Sequence, residues 1–140
     1  MSLSVDEQKG SATREEKCGS LSALRRAFSI QEKAARFGFD WSAVAGPLDK
    51  LREETDELTR AITDDDRLRI EMEIGDILFS AVNVARHMSI DPESALEKTS
   101  FRFEERFARL RSTLADRGVD INDCSLEQMD EIWELVKCDE

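Results

Sequence analysis

Five carboxylates near the middle of this chain have the spacing needed to hold metal ions. Glu53, Glu54 and Glu57 belong to the run Glu53-Glu54-Thr55-Asp56-Glu57, and Glu73 and Asp76 to Glu73-Ile74-Gly75-Asp76. An α-helix advances about 100° per residue, so positions three or four apart share a face. Glu54 with Glu57, and Glu73 with Asp76, are two such pairs. Two like charges about 4 Å apart repel by roughly 4 kcal/mol at an effective dielectric near 20, and bringing four together multiplies that term. A cation relieves it. Oxygen-only, carboxylate-rich ligation suits a hard ion, Mg²⁺ with Mn²⁺ as a substitute. Four acids exceed what one Mg²⁺ usually takes, so two or more ions are expected. Plainer assignments compete with this one. An EExxE run by itself is usually a solvated helix face. The ExxD pair could instead sit in a buried salt-bridge network with Arg69 or another base.

The segments around these acids read as helices. Arg69, Glu73, Asp76, Ser80, Asn83 and His87 step by four, three, four, three and four along one narrow stripe, and most of the remaining surface is apolar. Ile70, Met72, Ile74, Ile77, Leu78, Phe79, Val82 and Val84 make up most of it. A helix apolar nearly all round is normally buried, so its polar stripe should face an internal cleft or a partner helix. In the preceding helix Leu48, Leu51, Thr55, Leu58 and Ile62 form the expected core stripe, bordered by Glu54. Pro47 suits the first turn of that helix. Thr63-Asp64-Asp65-Asp66 reads as a short link and helix start, which makes the two acidic helices antiparallel neighbours.

Around this pair the chain supplies more helix. Residues 1–20, rich in Ser, Glu, Lys and Gly, read as a mobile tail. Leu21 to Phe37 reads as a helix with Leu24, Ala27, Phe28, Gln31, Ala34 and Ala35 on its inner side and Gly38 as a left-handed terminator. Asp91-Pro92 opens a long helix ending near Arg117-Gly118, with Leu96, Thr99, Phe103, Phe107, Leu110 and Leu114 as its core stripe. Arg102 and Arg106 share another of its faces. Ser125-Leu126-Glu127-Gln128 is a capping-box pattern that opens a last helix carrying Leu126, Met129, Trp133 and Val136. The expected fold is all-α: residues 21–140 form one four-helix-type bundle with an additional C-terminal helix.

Composition removes several classes of function. A net charge of −11 on 140 residues argues against nonspecific nucleic-acid binding, which needs clustered Lys and Arg. No run of eighteen apolar residues marks a membrane span, and no apolar signal-peptide core is expected near the start. Cys18, Cys124 and Cys138 are odd in number and lack metal-site spacing, which suits a reduced, cytoplasmic protein. A di-iron carboxylate bundle takes a Glu-x-x-His from each of two helices, and the chain has one histidine, His87. A lone His on a helix is more often structural than catalytic. There is no phosphate-binding GxxxxGK loop and no Ser/His/Asp arrangement.

Taken in order, Ile30-Gln31-Glu32-Lys33-Ala34-Ala35, Phe37-Gly38-Phe39-Asp40-Trp41, EExxE, EIGD, LFSAVNVAR, IDPESAL and FRFEERF resemble the MazG family of nucleoside triphosphate pyrophosphohydrolases, in the all-α nucleotide pyrophosphohydrolase superfamily. The resemblance runs from Leu21 to the Trp133 segment. It implies a homodimer that hydrolyses a nucleoside triphosphate to monophosphate and pyrophosphate for pool cleansing. Glu54, Glu57, Glu73 and Asp76 would hold the ions, with Glu53 orienting or deprotonating the attacking water. By the same resemblance Gln31, Lys33, Trp41 and Trp133 become substrate contacts. Arg69, Arg102 and Arg106 would neutralise phosphate charge, and Asn83 would bond the sugar or a metal-bound water. Ordinary roles stay open: Trp41 and Trp133 as core, Lys33 as a solvated cation, Arg102 and Arg106 as surface ion pairs with neighbouring acids. Open alternatives for the activity are phosphoribosyl-ATP, dUTP or dCTP as substrate, or a nucleotide-binding dimer without turnover.

Overall fold

Four of the five helices begin on a polar side chain that takes over a free backbone amide, the commonest way to satisfy a helix N-terminus. Ser22 accepts from the Arg25 N–H, Asp66 from Arg69, Asp91 from Glu93 and Ser125 from Gln128. The Gln128 side chain answers by accepting from the Ser125 N–H, completing the capping box. The computed structural model describes residues 21–139. The expected tail 1–20, with Cys18, lies outside them. In order the helices are α1 (Ala23–Arg36), α2 (Ala45–Thr63), α3 (Arg67–His87), α4 (Pro92–Asp116) and α5 (Leu126–Cys138), with a 3-10 turn at Ile121–Asp123 before α5. Gly38 and Gly118 follow α1 and α4 with φ of +86° and +68°, the left-handed conformation that glycine adopts without steric penalty.

The order of packing follows from the connections. Asp64, Asp65 and Asp66 alone join α2 to α3, so the two helices form an antiparallel hairpin, and theirs is the most extensive helix contact among the described residues. α3 also packs on α1 and α4, and α5 packs on α4. The Ser22 hydroxyl and Arg25, at the start of α1, reach Glu93 and Asp91 at the start of α4, which ties those two ends together.

Several inner faces differ from the expected ones. On α1 the expected stripe is the covered one, with Gln31 fully buried. On α2 the buried residues are Pro47, Glu54 and Ala61, while Thr55 and Ile62 are exposed. The covered face is therefore turned so that a carboxylate, rather than its apolar neighbours, points at α3. On α3 the polar stripe does face inward, with Glu73, Ser80 and Asn83 buried beside Val82. The apolar remainder of α3 is not enclosed: Leu68, Met72, Ile74, Leu78 and Phe79 are exposed. On α4 only Leu110 and Leu114 of the expected stripe are buried, and Leu96, Thr99, Phe103 and Phe107 are open. These corrections share one cause. Periodicity marks which faces avoid water, but one chain of five helices leaves part of α3 and the first half of α4 without a covering layer.

Where α4 meets α5 the core is conventional. Leu110, Leu114, Ile132 and Val136 bury one another, with Ile121, Cys124, Met129 and Trp133 around them. Trp133 also leans on Phe103, ring centres 5.3 Å apart, and Phe103 stacks on Phe107 at 6.1 Å.

Candidate active site

The hairpin brings three carboxylates to one point. Oxygens of Glu54, Glu73 and Asp76 lie within 4.8 Å of one another, with Glu54 and Glu73 buried and Asp76 exposed at the rim. The burial is close to complete: Glu54 keeps 6% and Glu73 9% of its surface. Two buried carboxylates and a third beside them cannot all stay ionised without compensation. The protein shows the strain and a partial remedy. Burial pushes the Glu73 carboxyl above the ordinary carboxylate range, and a hydrogen bond shared with Glu54 pushes the same way, against the pull of Arg69. The Lys50 Nζ lies 2.5 Å from Glu54 and 3.3 Å from Glu53, and the Glu54 carboxylate holds that ammonium above its usual value. An all-oxygen set with one open side and a cation already drawn into it fits a hard divalent ion.

Glu57 lies outside the three-carboxylate group. It accepts from Arg69 Nη2 at 2.5 Å and from Arg60. Arg69 also stands 3.6 Å from Glu73 and 3.5 Å from Asp64. The ion-pair arrangement that competed with metal ligation is thus present in part: Arg69 pairs with Glu57 and, more loosely, with Glu73, and Lys50 pairs with Glu54, beside the close approach of Glu54, Glu73 and Asp76. Glu53 is exposed on the outer side of α2.

A second feature lies further along α3. A cavity of about 230 Å³ is lined by Ile30, Gln31, Ala34, Phe39, Asp40, Trp41, Phe79, Asn83 and Arg86. Its polar groups are few and held in place. Arg86 bonds both oxygens of Asp40, at 2.9 and 2.5 Å, and His87 Nε2 lies 3.0 Å from the same carboxylate. These bonds, Arg86 first, hold the Asp40 carboxyl well below the usual carboxylate range. Arg86 also donates to Asn83 Oδ1 from Nε and Nη2, at 3.0 and 2.8 Å. A guanidinium offers donors only, so it fixes the Asn83 amide with its NH₂ turned away from Arg86. Gln31 donates from Nε2 to the Phe79 carbonyl at 2.9 Å, and its Oε1 is buried with no partner among the described residues. Such an orphan acceptor costs about 1–3 kcal/mol, which makes it a place to look for a ligand. Trp41 lies over Gly46, where a methyl group would come within 2.1 Å of its ring.

Of the residues singled out from sequence, Glu54, Glu73 and Asp76 share the acid cluster, with Glu53, Glu57 and Arg69 at its edge. Gln31, Trp41 and Asn83 share the cavity. Lys33 and Arg102 are exposed, Arg106 is half-buried on α4, and Trp133 belongs to the α4–α5 core. None of these four lines the cavity or the acid cluster in the single chain. Lys50, Asp40 and Arg86 were not singled out. A signal existed for Lys50, which stands four residues before Glu54 on the same helix. Asp40 and Arg86 stand in two of the motifs that carry the family resemblance but, 46 positions apart, have no spacing that pairs them.

Residues 46–110 match the family model of the MazG nucleotide pyrophosphohydrolase domain. The chain is 42% identical over 122 residues to a nucleoside triphosphate pyrophosphohydrolase of Escherichia coli, covering 84% of this chain and 46% of that protein. It is 41% identical over 115 residues to the nucleoside triphosphate pyrophosphohydrolase/pyrophosphatase MazG of Thermotoga maritima, covering 82% of this chain and 44% of the relative. A Bacillus subtilis protein, YabN, is 46% identical over 68 residues, 49% of this chain and 14% of YabN. The chain spans less than half the length of each of these relatives.

Proposed function

We propose that this chain, whose residues 46–110 match the MazG nucleotide pyrophosphohydrolase family, hydrolyses a nucleoside triphosphate to the monophosphate and pyrophosphate. The observation that carries this reading is the meeting of Glu54, Glu73 and Asp76 oxygens within 4.8 Å on the helix that also walls the 230 Å³ cavity. One place suits a metal-bound phosphate and the other a nucleoside. Mg²⁺ or Mn²⁺ held by Glu54, Glu73 and Asp76, with Glu57 available at the edge, would polarise the α-phosphate and acidify water.

The chain's own groups account for the rest. Glu53, exposed beside Lys50, accepts the proton of the water whose oxygen attacks the α-phosphorus. The bond from that phosphorus to the bridging oxygen breaks, and pyrophosphate departs with the electron pair. Arg69 can exchange its carboxylate partners for phosphate oxygens, to which its forked donors are equally suited. Arg102 and Arg106, one turn apart on α4, take the departing phosphates, and Lys33 adds charge from α1. Trp41 and Gln31 hold the base, Asn83 the sugar, and Trp133 an aromatic contact from α5.

Arg102, Arg106 and Trp133 lie outside the acid cluster and the cavity of one chain, which favours a homodimer in which α4 of a second copy closes the site. The open Leu68, Met72 and Leu78 on α3 and Phe101 and Phe103 on α4 support that assembly, since apolar faces of this kind seek a covering layer. No described helix is long and apolar enough to cross a membrane, and Cys124 and Cys138 are free thiols. The thiols accord with work on the reduced, cytoplasmic nucleotide pool.

The position of bond cleavage tests the reading. In ¹⁸O-labelled water the label should enter the nucleoside monophosphate and leave pyrophosphate unlabelled. Orthophosphate as first product, or label in pyrophosphate, overturns it.

A further inference from the structure

Gln31 is the most completely buried polar side chain in the cavity, with 5% of its surface exposed. Its orientation is not free. The Phe79 carbonyl can only accept, so the NH₂ of Gln31 must face it, which it does at 2.9 Å. Oε1 is thereby fixed as a bare acceptor, buried and unpaired, on a cavity wall otherwise made largely of Ile30, Ala34, Phe39, Trp41 and Phe79. The neighbouring polar groups do not relieve it. Arg86 is committed to Asp40 and Asn83, and the Asn83 NH₂, turned away from Arg86, makes no bond to Gln31 Oε1.

Resting on the reading that this cavity takes the nucleoside, we propose that Gln31 Oε1 accepts a hydrogen bond from the amino group at adenine C6 or cytosine C4, where guanine and uracil carry a carbonyl, so that the site selects adenine and cytosine nucleotides. A buried acceptor rejects most strongly the ligand that leaves it unpaired, because its desolvation is then uncompensated. An amino group also fits better than a ring N–H. It projects beyond the ring, so a recessed oxygen reaches it without meeting other acceptors. The N3–H of uracil lies between two carbonyls and the N1–H of guanine lies beside one, and those lone pairs would oppose Oε1. At the equivalent place on the base, uracil and hypoxanthine present a carbonyl oxygen, which sets acceptor against acceptor. Within each pair, adenine with hypoxanthine and cytosine with uracil, the bulk is so similar that an apolar wall alone would not separate them.

The deletion of one amino group tests this without adding bulk. kcat/KM is measured by pyrophosphate release for ATP against purine ribonucleoside triphosphate, and for CTP against pyrimidin-2-one ribonucleoside triphosphate. The amino-bearing member of each pair should be favoured roughly ten- to a hundredfold, and UTP and ITP should fall with the deleted analogues. In Gln31→Met, which keeps the length and removes the acceptor, both ratios should drop toward one. Gln31→Asn, one methylene short of the same position, serves where the methionine variant does not fold. Ratios near one in the wild-type protein, or ratios unchanged in a folded variant, overturn the assignment. If no triphosphate is turned over, the hydrolase reading fails first. Calorimetric titration of the wild-type protein with CMP and with its 4-deamino analogue then decides the Gln31 contact alone: equal affinities overturn it, and tighter binding of CMP sustains it.

Discussion

Two carboxylates held by α3 are displaced in opposite directions. Glu73, near its start, sits among other acids and is pushed toward the protonated form. Asp40, brought to its end by the loop after α1, is gripped by Arg86 and His87 and kept ionised. One cluster is short of positive charge and the other is saturated with it. The difference separates a place that needs a ligand from a place that is finished, and it does so within one helix. A saturated ion pair gains its geometry from the fold and contributes to stability. A deficient cluster lowers the stability of the empty protein and recovers it when a cation arrives.

The comparison can be broken most severely at the deficient end. Glu54→Gln or Asp76→Asn should lower kcat/KM by at least about a hundredfold while the circular dichroism spectrum stays helical. A folded variant with full activity would remove that residue from the site.

At the saturated end the loss should appear as stability instead. Asp40→Ala removes charge-assisted bonds to Arg86 and is expected to cost about 2 kcal/mol in chemical denaturation at neutral pH. The folded value of Asp40 lies below its unfolded one, so its contribution is present above the ordinary carboxylate range and is lost as pH falls toward the folded value. The gap between wild type and variant should therefore narrow below about pH 4. A gap that does not change with pH would mean that the ion pair is not its source.

Glu73→Gln should act with the opposite sign and a smaller size. A raised carboxyl contributes its stability below the unfolded range and loses it as pH rises through the folded value. In chelator the variant should match wild type at acidic pH and slightly exceed it at neutral pH. Added Mg²⁺ should reverse the order, as followed by thermal melting. A variant less stable than wild type in chelator at neutral pH would show that Glu73 is not a destabilised acid.

The smallest effect is expected at the cavity rim. A methyl on Gly46 would meet the Trp41 ring at 2.1 Å, so Gly46→Ala should shift Trp41 fluorescence and raise KM about threefold with kcat retained. Unchanged fluorescence and KM would detach Trp41 from substrate binding.

Local chemistry was the legible part of the fold. Asp66, Asp91 and Ser125 cap the helices they were expected to open, and Gly38 and Gly118 end α1 and α4. The inward stripe of α3 could be read from steps of three and four, because that interval is a property of the helix itself. The acid cluster was legible in part, since Glu73 and Asp76 share a helix but Glu54 comes from another. What could not be read depends on which surfaces meet. Ile62 and Phe103 have the pattern of core residues and stand open, while Asp40 and Arg86 carry no mutual spacing at all. Glu57 illustrates the limit within a motif: three residues from Glu54, it turns to arginines of its own helix and the next.

Because Asp76 and Asn83 stand on one unbroken helix, the interval between the acid cluster and the cavity is a fixed length. Seven residues at 1.5 Å each make about 10 Å, and a helix clamped between α1 and α2 has little freedom to stretch. α3 therefore acts as a gauge. On the proposed reading it would meter the stretch from nucleoside to first phosphate, indifferent to how many phosphates trail beyond it. Inserting one residue between Asp76 and Asn83 would lengthen the gauge by only about 1.5 Å but turn its far mark by about 100°, so the instrument tolerates changes in what hangs off its end far better than changes in its own graduation.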